Sequence, residues 1–116
     1  MAWVKDDGNE GYILTIAGKE KIFANTNSSF LFYQFLNLKE IEELELLDTS
    51  KVINMENMFA LCENLTTLNL NKFNTSFVTN MARMFYYCSE ILELDLSSFN
   101  TSEVKDMQRM FEYCKV

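Results

Sequence analysis

A nine-residue segment that ends in cysteine recurs at a fixed spacing of 26 residues in this chain. The copies read NMENMFALC, NMARMFYYC and DMQRMFEYC, and they end at Cys62, Cys88 and Cys114. A fixed period of about 20 to 50 residues is typical of proteins whose repeats bury their apolar faces against their neighbours. The period therefore constrains the fold more than any other feature of the sequence.

The full repeat reads L-x-x-L-x-L-x-x-F-N-T-S-x-V-x-x-M-x-x-M-F-x-x-C-x-x, over residues 65–90 and again over 91–116. Approximately residues 48–64 keep the spacing of 26. We expect approximately residues 28–47 to form a degenerate first repeat, in which one extra residue changes the spacing to 27. An offset of 24 also aligns part of that segment, but only 27 places Leu31 and Phe32 on the Met-Phe pair. The sequence thus predicts a repeat domain over residues 28–116 with an open C-terminal end.

Two periodicities within the repeat predict its local structure. Leu68-Asn69-Leu70 and Leu94-Asp95-Leu96 alternate as half-buried strands do. The spacing of Val78, Met81, Met84, Phe85 and Cys88 fits one face of a short helix, with a Thr or Ser before it as a cap. We expect an α/β solenoid: a right-handed, leucine-rich-repeat-like stack of short parallel strands and short helical arms. We expect the Met and Phe side chains to pack in its core rather than to line an adaptable binding groove.

The first 27 residues differ from the repeats. Their short apolar runs are separated by the only glycines of the chain, Gly8, Gly11 and Gly18, which suit turns with positive φ. This pattern predicts an antiparallel β-meander over residues 1–27. It would cap the apolar edge of the first repeat.

The charge and the composition exclude several classes of function. The chain has 17 Asp and Glu against 10 Lys and Arg, a net charge of −7, which disfavours binding to nucleic acid. It has no histidine, the commonest general base and a frequent metal ligand, and it shows no catalytic triad, phosphate loop or metal motif. No apolar run has the roughly 18 residues of a membrane span. We expect no enzyme, no cofactor and no insertion into a membrane.

The cysteine column allows three interpretations: a metal site, a disulfide or a packing row. Zinc sites use closely spaced Cys or His pairs, and the repeat spacing by itself does not supply disulfide geometry. The equivalent position in the first repeat is Phe35, which an apolar slot accepts and a ligand role does not. We expect buried free thiols that pack as small hydrophobic groups.

Four N-x-S/T sequons occur, at Asn27, Asn64, Asn74 and Asn100. Two of them are the repeated NTS of the unit. A ladder of Asx and hydroxyl hydrogen bonds between stacked turns explains these two without any glycan.

Outward positions of the predicted strands form columns of polar residues, and such positions often mediate recognition in repeat proteins. The candidate partner-binding face comprises Glu40, Glu43, Glu45, Thr67, Asn69, Asn71, Glu93, Asp95 and Ser97. The alternative is a solvated face that serves solubility. Calcium is a weaker option, because the columns lack the closely spaced acidic residues and the glycine of a calcium loop.

The stretch FNTSFVTNMARMFYYCSEILELDLSSFNTSEVKDMQRMFEYC resembles the 26-residue repeat of bacterial and mycoplasmal surface proteins, in the BspA-like leucine-rich-repeat group. The resemblance covers residues 28–116, and an irregular first repeat after a short β segment is similar to the start of such arrays. It implies a recognition or adhesion module at the cell surface or secreted from the cell. It brings no catalytic residues.

Two functions follow from these observations. The first is recognition of a host or neighbouring protein through the outward strand face. The second is a structural spacer or assembly segment that stacks on another copy through its open C-terminal repeat.

Overall fold

A computed structural model describes the backbone of residues 2–6 and all atoms of residues 11–115. Regular secondary structure is sparse and lies mostly in the first half of the chain. It comprises the strands β1 (Ala2–Asp6), β2 (Tyr12–Ile16), β3 (Ile22–Phe23), β4 (Leu38–Glu42) and β5 (Leu47–Asp48) and a 3₁₀ turn (Leu44–Leu46). Within the described residues there is no α-helix.

The five strands form two small sheets. One sheet has the order β1-β2-β4, in which β1 runs antiparallel to β2 and β2 runs parallel to β4. The other pairs β3 with β5 in parallel. The predicted antiparallel meander is therefore wrong beyond the β1–β2 pair, because β2 and β3 each pair in parallel with a strand of the following segment. The division into residues 1–27 and 28–116 stays a prediction.

The predicted helical arms are wrong, because each arm is a series of tight turns. In residues 55–62 the backbone N–H of Met58 donates to the carbonyl of Met55, and the N–H of Cys62 donates to that of Phe59. The third residue of each turn, Asn57 or Leu61, has a φ near +60°, as type II turns require. The same two positions are left-handed in every copy: Phe30 and Gln34, Asn57 and Leu61, Arg83 and Tyr87, Arg109 and Tyr113.

Hydrogen bonds between repeats explain why the turns replace a helix. In an α-helix the N–H of Phe59 would donate to the carbonyl of Met55, but here it donates to Met84, in the next repeat, at 2.9 Å. Every second N–H group in this segment donates to a carbonyl of the next repeat in the same way. The donors 55, 57, 59 and 61 bind the carbonyls of 80, 82, 84 and 86, and the donors 81, 83, 85 and 87 bind those of 106, 108, 110 and 112.

The strands predicted at Leu68–Leu70 and Leu94–Leu96 are also absent. The backbone bond from Thr66 N–H to the carbonyl of Lys39 joins β4 to the next repeat, and no strand ladder follows it in the described residues. The radius of gyration is 13.4 Å, as expected for a compact domain of this length, about 13 Å. The predicted α/β solenoid, with its right-handed leucine-rich-repeat-like stack of strands and helices, is therefore wrong. The molecule is a compact globule of turns.

A column of phenylalanine rings runs through the core. Phe32, Phe59, Phe85 and Phe111 stack in nearly parallel planes, with ring centroids 5.2, 5.6 and 5.7 Å apart. Phe32 and Phe59 are 27 residues apart, which is the spacing that the alignment assigns to the first repeat. The core position predicted for the methionines and phenylalanines is confirmed for Met55, Met58, Met81 and Met84, which are fully buried, but Met107 and Phe77 are 45% and 64% exposed.

Replacement of Phe85 by alanine tests this column. Phe85 is fully buried between two parallel rings, so Phe85→Ala should lower the free energy of unfolding by about 3 to 5 kcal/mol. Phe77→Ala is the matched control, because Phe77 is 64% exposed and should change stability by about 0.5 kcal/mol or less. Urea denaturation of both variants measures the difference. Equal effects would contradict the position of Phe85 in the core.

Candidate binding groove

An open groove crosses the side of the molecule where the strands were predicted. Its volume is about 640 Å³, within the range of ligand sites. Three segments line it: Glu40 and Ile41 from β4, residues 66–69, and residues 92–95. It is the candidate site of this chain.

Side chains in the three segments alternate between solvent and core. Thr67 and Asn69 are exposed while Leu68 is half-buried, and Glu93 and Asp95 are exposed while Leu94 is half-buried. Glu40 is exposed beside the buried Ile41. Hence the side chains alternate between solvent and core as the sequence pattern predicts, although no ladder of strand hydrogen bonds accompanies the alternation.

The backbone along the groove has few hydrogen-bond partners. Residues 67–69 and 92–95 neither donate an N–H nor accept at a carbonyl in any backbone bond within the described part of the chain. By contrast, four such bonds join residues 55–61 to the next repeat. Residues 67–69 and 92–95 of the groove therefore lie where backbone hydrogen bonds between adjacent repeats are absent among the described residues.

The groove is acidic. Its charged side chains are Glu40, Glu93 and Asp95, and neither Lys nor Arg lines it. The N–H of Ser97 donates to Oδ1 of Asp95 at 2.9 Å, and the hydrogen bonds from Ser97 lower the pKa of the Asp95 carboxyl. Asp95 therefore keeps its charge to lower pH than an isolated aspartate.

Five of the nine residues of the predicted face lie together in the groove: Glu40, Thr67, Asn69, Glu93 and Asp95. The other four do not line it. Glu45 lines a second cavity beside Lys21 and Lys72, and Glu43 is an exposed residue with a φ of 59° that precedes the 3₁₀ turn. The backbone N–H groups of Asn71 and Ser97 donate to the side chains of Asn69 and Asp95 and so hold these groove residues in place.

The prediction missed Leu92, which lines the groove and is 73% exposed. Its sequence signal was weak. Leu92 follows the core residue Ile91 and occupies the repeat position of Thr66, so the repeat pattern marks it as a variable surface position. A large apolar side chain on an acidic rim adds a contact surface that charge alone does not provide.

The cysteines have a structural role outside the groove. Each thiol donates to the carbonyl of a phenylalanine in the preceding repeat: Cys62 to Phe32 at 3.0 Å, Cys88 to Phe59 at 3.1 Å and Cys114 to Phe85 at 2.8 Å. All three are free, and the predicted burial is confirmed for Cys62 and Cys88, while Cys114 is half-buried. Burial raises the pKa of Cys62 to about 12 and raises the pKa of Cys88 and Cys114 as well.

The hydrogen-bond ladder predicted for the NTS turns is confirmed. The Thr75 hydroxyl donates to the carbonyl of Asn100 and accepts from its N–H, at 3.0 and 2.8 Å. Thr49 makes the same pair with Asn74. Within each turn, Asn74 or Asn100 accepts the N–H of the serine two residues on.

The side chains of residues 11–115 include no group of three or more His, Cys, Asp or Glu placed to hold a metal ion. In the same part of the chain, no helix has the length and apolar character needed to cross a membrane.

Comparison with known proteins adds one finding. A family model described as "Mycoplasma protein of unknown function, DUF285" matches residues 24–116, which is most of the chain. No curated protein and no solved structure matches.

Thiol reactivity tests the cysteine geometry. Because the thiolate is the reactive form and burial raises the pKa of Cys62 to about 12, Cys62 and Cys88 should resist alkylation in the native protein at pH 8. The half-buried Cys114 should react first. Mass spectrometry after a timed iodoacetamide pulse gives the order. Rapid native labelling of Cys88, or fewer than three reactive thiols after unfolding without reductant, would contradict it.

Proposed function

We propose that this chain is a non-enzymatic protein-recognition module. It belongs to the DUF285 family of Mycoplasma proteins of unknown function. It binds a basic surface of a partner protein through the groove between Glu40, Thr67–Asn69 and Leu92–Asp95. One observation supports this most directly. Three carboxylates share an open groove that neither Lys nor Arg lines, so the groove attracts cationic groups and repels anionic ones.

The repeat pattern supports the biological setting of the proposal. The resemblance to BspA-like repeats favours a surface or secreted protein that adheres to a host or neighbouring protein. Family membership by itself gives no information on location or adhesion, because the family is described as one of unknown function. Surface location and adhesion are therefore part of the proposal.

The groove chemistry favours binding over catalysis. A general acid needs a carboxyl whose pKa is raised towards the working pH. The pKa of Asp95 is lowered instead. The remaining lining residues are threonine, asparagine, leucine and isoleucine side chains together with two glutamates.

Neutral replacements in the groove test the proposal. Glu93→Gln with Asp95→Asn removes two charges while keeping the side-chain shapes, and an asparagine can still accept the N–H of Ser97 as Asp95 does. Binding to an immobilised basic protein such as lysozyme should weaken about tenfold or more, and the salt dependence should decrease. Surface plasmon resonance at several salt concentrations measures both.

The control for this pair is Glu20→Gln with Glu103→Gln, which makes the same charge change at exposed positions outside the groove. If the control pair weakens binding as much as the groove pair, net charge rather than the groove drives association. That result would contradict the proposal.

Assembly by stacking is the second candidate function, and one observation favours it. The N–H groups of Met107, Arg109, Phe111 and Tyr113 have no backbone acceptor in the described residues, whereas their equivalents at 55–61 and 81–87 donate to the next repeat. A following repeat of a longer chain or a second copy would satisfy them, and the second arrangement is stacking.

Light scattering of the chain between about 10 µM and 1 mM tests this second candidate. Stacking predicts a mass that rises with concentration, because a head-to-tail contact does not close on itself. An unchanged monomer mass across the range would remove it.

A further inference from the structure

We infer that the element recognised in the groove is an extended segment with Lys or Arg at alternate positions, and that it hydrogen-bonds to the groove backbone. This inference rests on the recognition function proposed above and adds the conformation and the sequence pattern of the partner. Three observations support it.

The first observation is the unpaired backbone. The amide and carbonyl groups of residues 67–69 and 92–95 have no backbone partner in the described part of the chain, although each is an obligatory hydrogen-bonding group. Water satisfies such groups in the free protein. An extended peptide offers N–H and C=O groups in a regular row and can replace that water, as in recognition by strand addition.

The second observation is the spacing of the carboxylates. Glu93 and Asp95 are both exposed, with the half-buried Leu94 between them, so the two carboxylates lie on the solvent side of this segment. Two residues of extended chain span about 6.6 Å. Alternate side chains of an extended ligand have the same spacing, so residues i and i+2 of the ligand can each meet one carboxylate.

A helical ligand fits this pattern less well. Its neighbouring side chains are three and four residues apart and follow the turn of the helix. Only one of them would remain in register with the pair at 93 and 95. The groove therefore favours an extended partner over a helical one.

The third observation is the apolar surface within the groove. Leu68 and Leu94 are half-buried and Leu92 is 73% exposed, and all three line the groove. Lysine and arginine lay their aliphatic stems on apolar surface while the charged end stays in water or at a carboxylate. The leucines can thus contact the aliphatic stem of a lysine or arginine of the partner, while the acidic residues bind its charged end.

The experiment uses the full chain and a synthetic peptide, acetyl-KTKTKTK-amide, in which lysine alternates with threonine. Two matched peptides serve as controls. One carries N-methyl groups on alternate backbone amides, and the other, acetyl-KKKKTTT-amide, has the same composition without alternation. Dissociation constants come from NMR titration, with the amide signals of residues 67–69 and 92–95 as reporters of the site.

The alternating peptide should shift the reporter signals. The N-methylated peptide and the block peptide should each have a dissociation constant about tenfold higher than that of the alternating peptide. The first lacks backbone donors, and the second lacks the period of two. Glu93→Gln with Asp95→Asn should weaken binding of the alternating peptide similarly, while Glu20→Gln with Glu103→Gln should not.

The outcomes separate this inference from the proposed function. Equal binding of all three peptides at the groove would overturn the inference and leave recognition of basic partners standing. If no peptide binds but lysozyme still shifts the reporter signals, the partner element is not an extended basic segment and the inference fails alone. If neither the peptides nor lysozyme shift these signals, the inference and the proposed function both fail.

Discussion

The backbone hydrogen bonds between adjacent repeats determine the structure of this protein. Alternate N–H groups, such as those of Met55, Asn57 and Phe59, donate to carbonyls of the next repeat and so cannot stabilise a helix of their own repeat. Left-handed residues at two positions of each repeat allow this arrangement. For residues other than glycine, that conformation costs about 1 kcal/mol or more each, and hydrogen bonds of about 1 kcal/mol each offset the cost.

The same bonds place the side chains that fill the core. Because residue n is held beside residue n+26 or n+27, Phe32, Phe59, Phe85 and Phe111 stack as a column of rings. The cysteine thiols donate to the carbonyls of the first three of these phenylalanines. A residue that first suggests metal or redox chemistry is thus a packing element with a hydrogen bond, and its raised pKa is a consequence of burial.

In the described part of the chain, the groove lies where backbone hydrogen bonds between adjacent repeats are absent. Where the hydrogen bonds between repeats stop, residues 67–69 and 92–95 leave their backbone groups to solvent and an acidic groove separates them. Hydrogen-bonded turns in residues 55–61 and 81–87, together with an unpaired backbone along the groove, support the proposed binding of a partner strand. The function proposed for the chain follows from this difference more than from any single residue.

The sequence by itself determined the repeat spacing, the core positions of recurring residues such as Met81, Met84 and Phe85, and the hydrogen-bonded NTS turns. These depend on which side chains recur at a spacing of 26, and a recurring apolar or capping residue keeps its role whatever the backbone does. Only the tertiary structure decided between helix and turns. The M-x-x-M-F-x-x-C spacing faces the core in an α-helix, and it does so equally in two turns whose left-handed residues, such as Asn57 and Leu61, are four apart. The choice depends on whether an N–H such as that of Phe59 finds its acceptor four residues back or in the next repeat, and only the packed neighbouring repeat supplies that second acceptor.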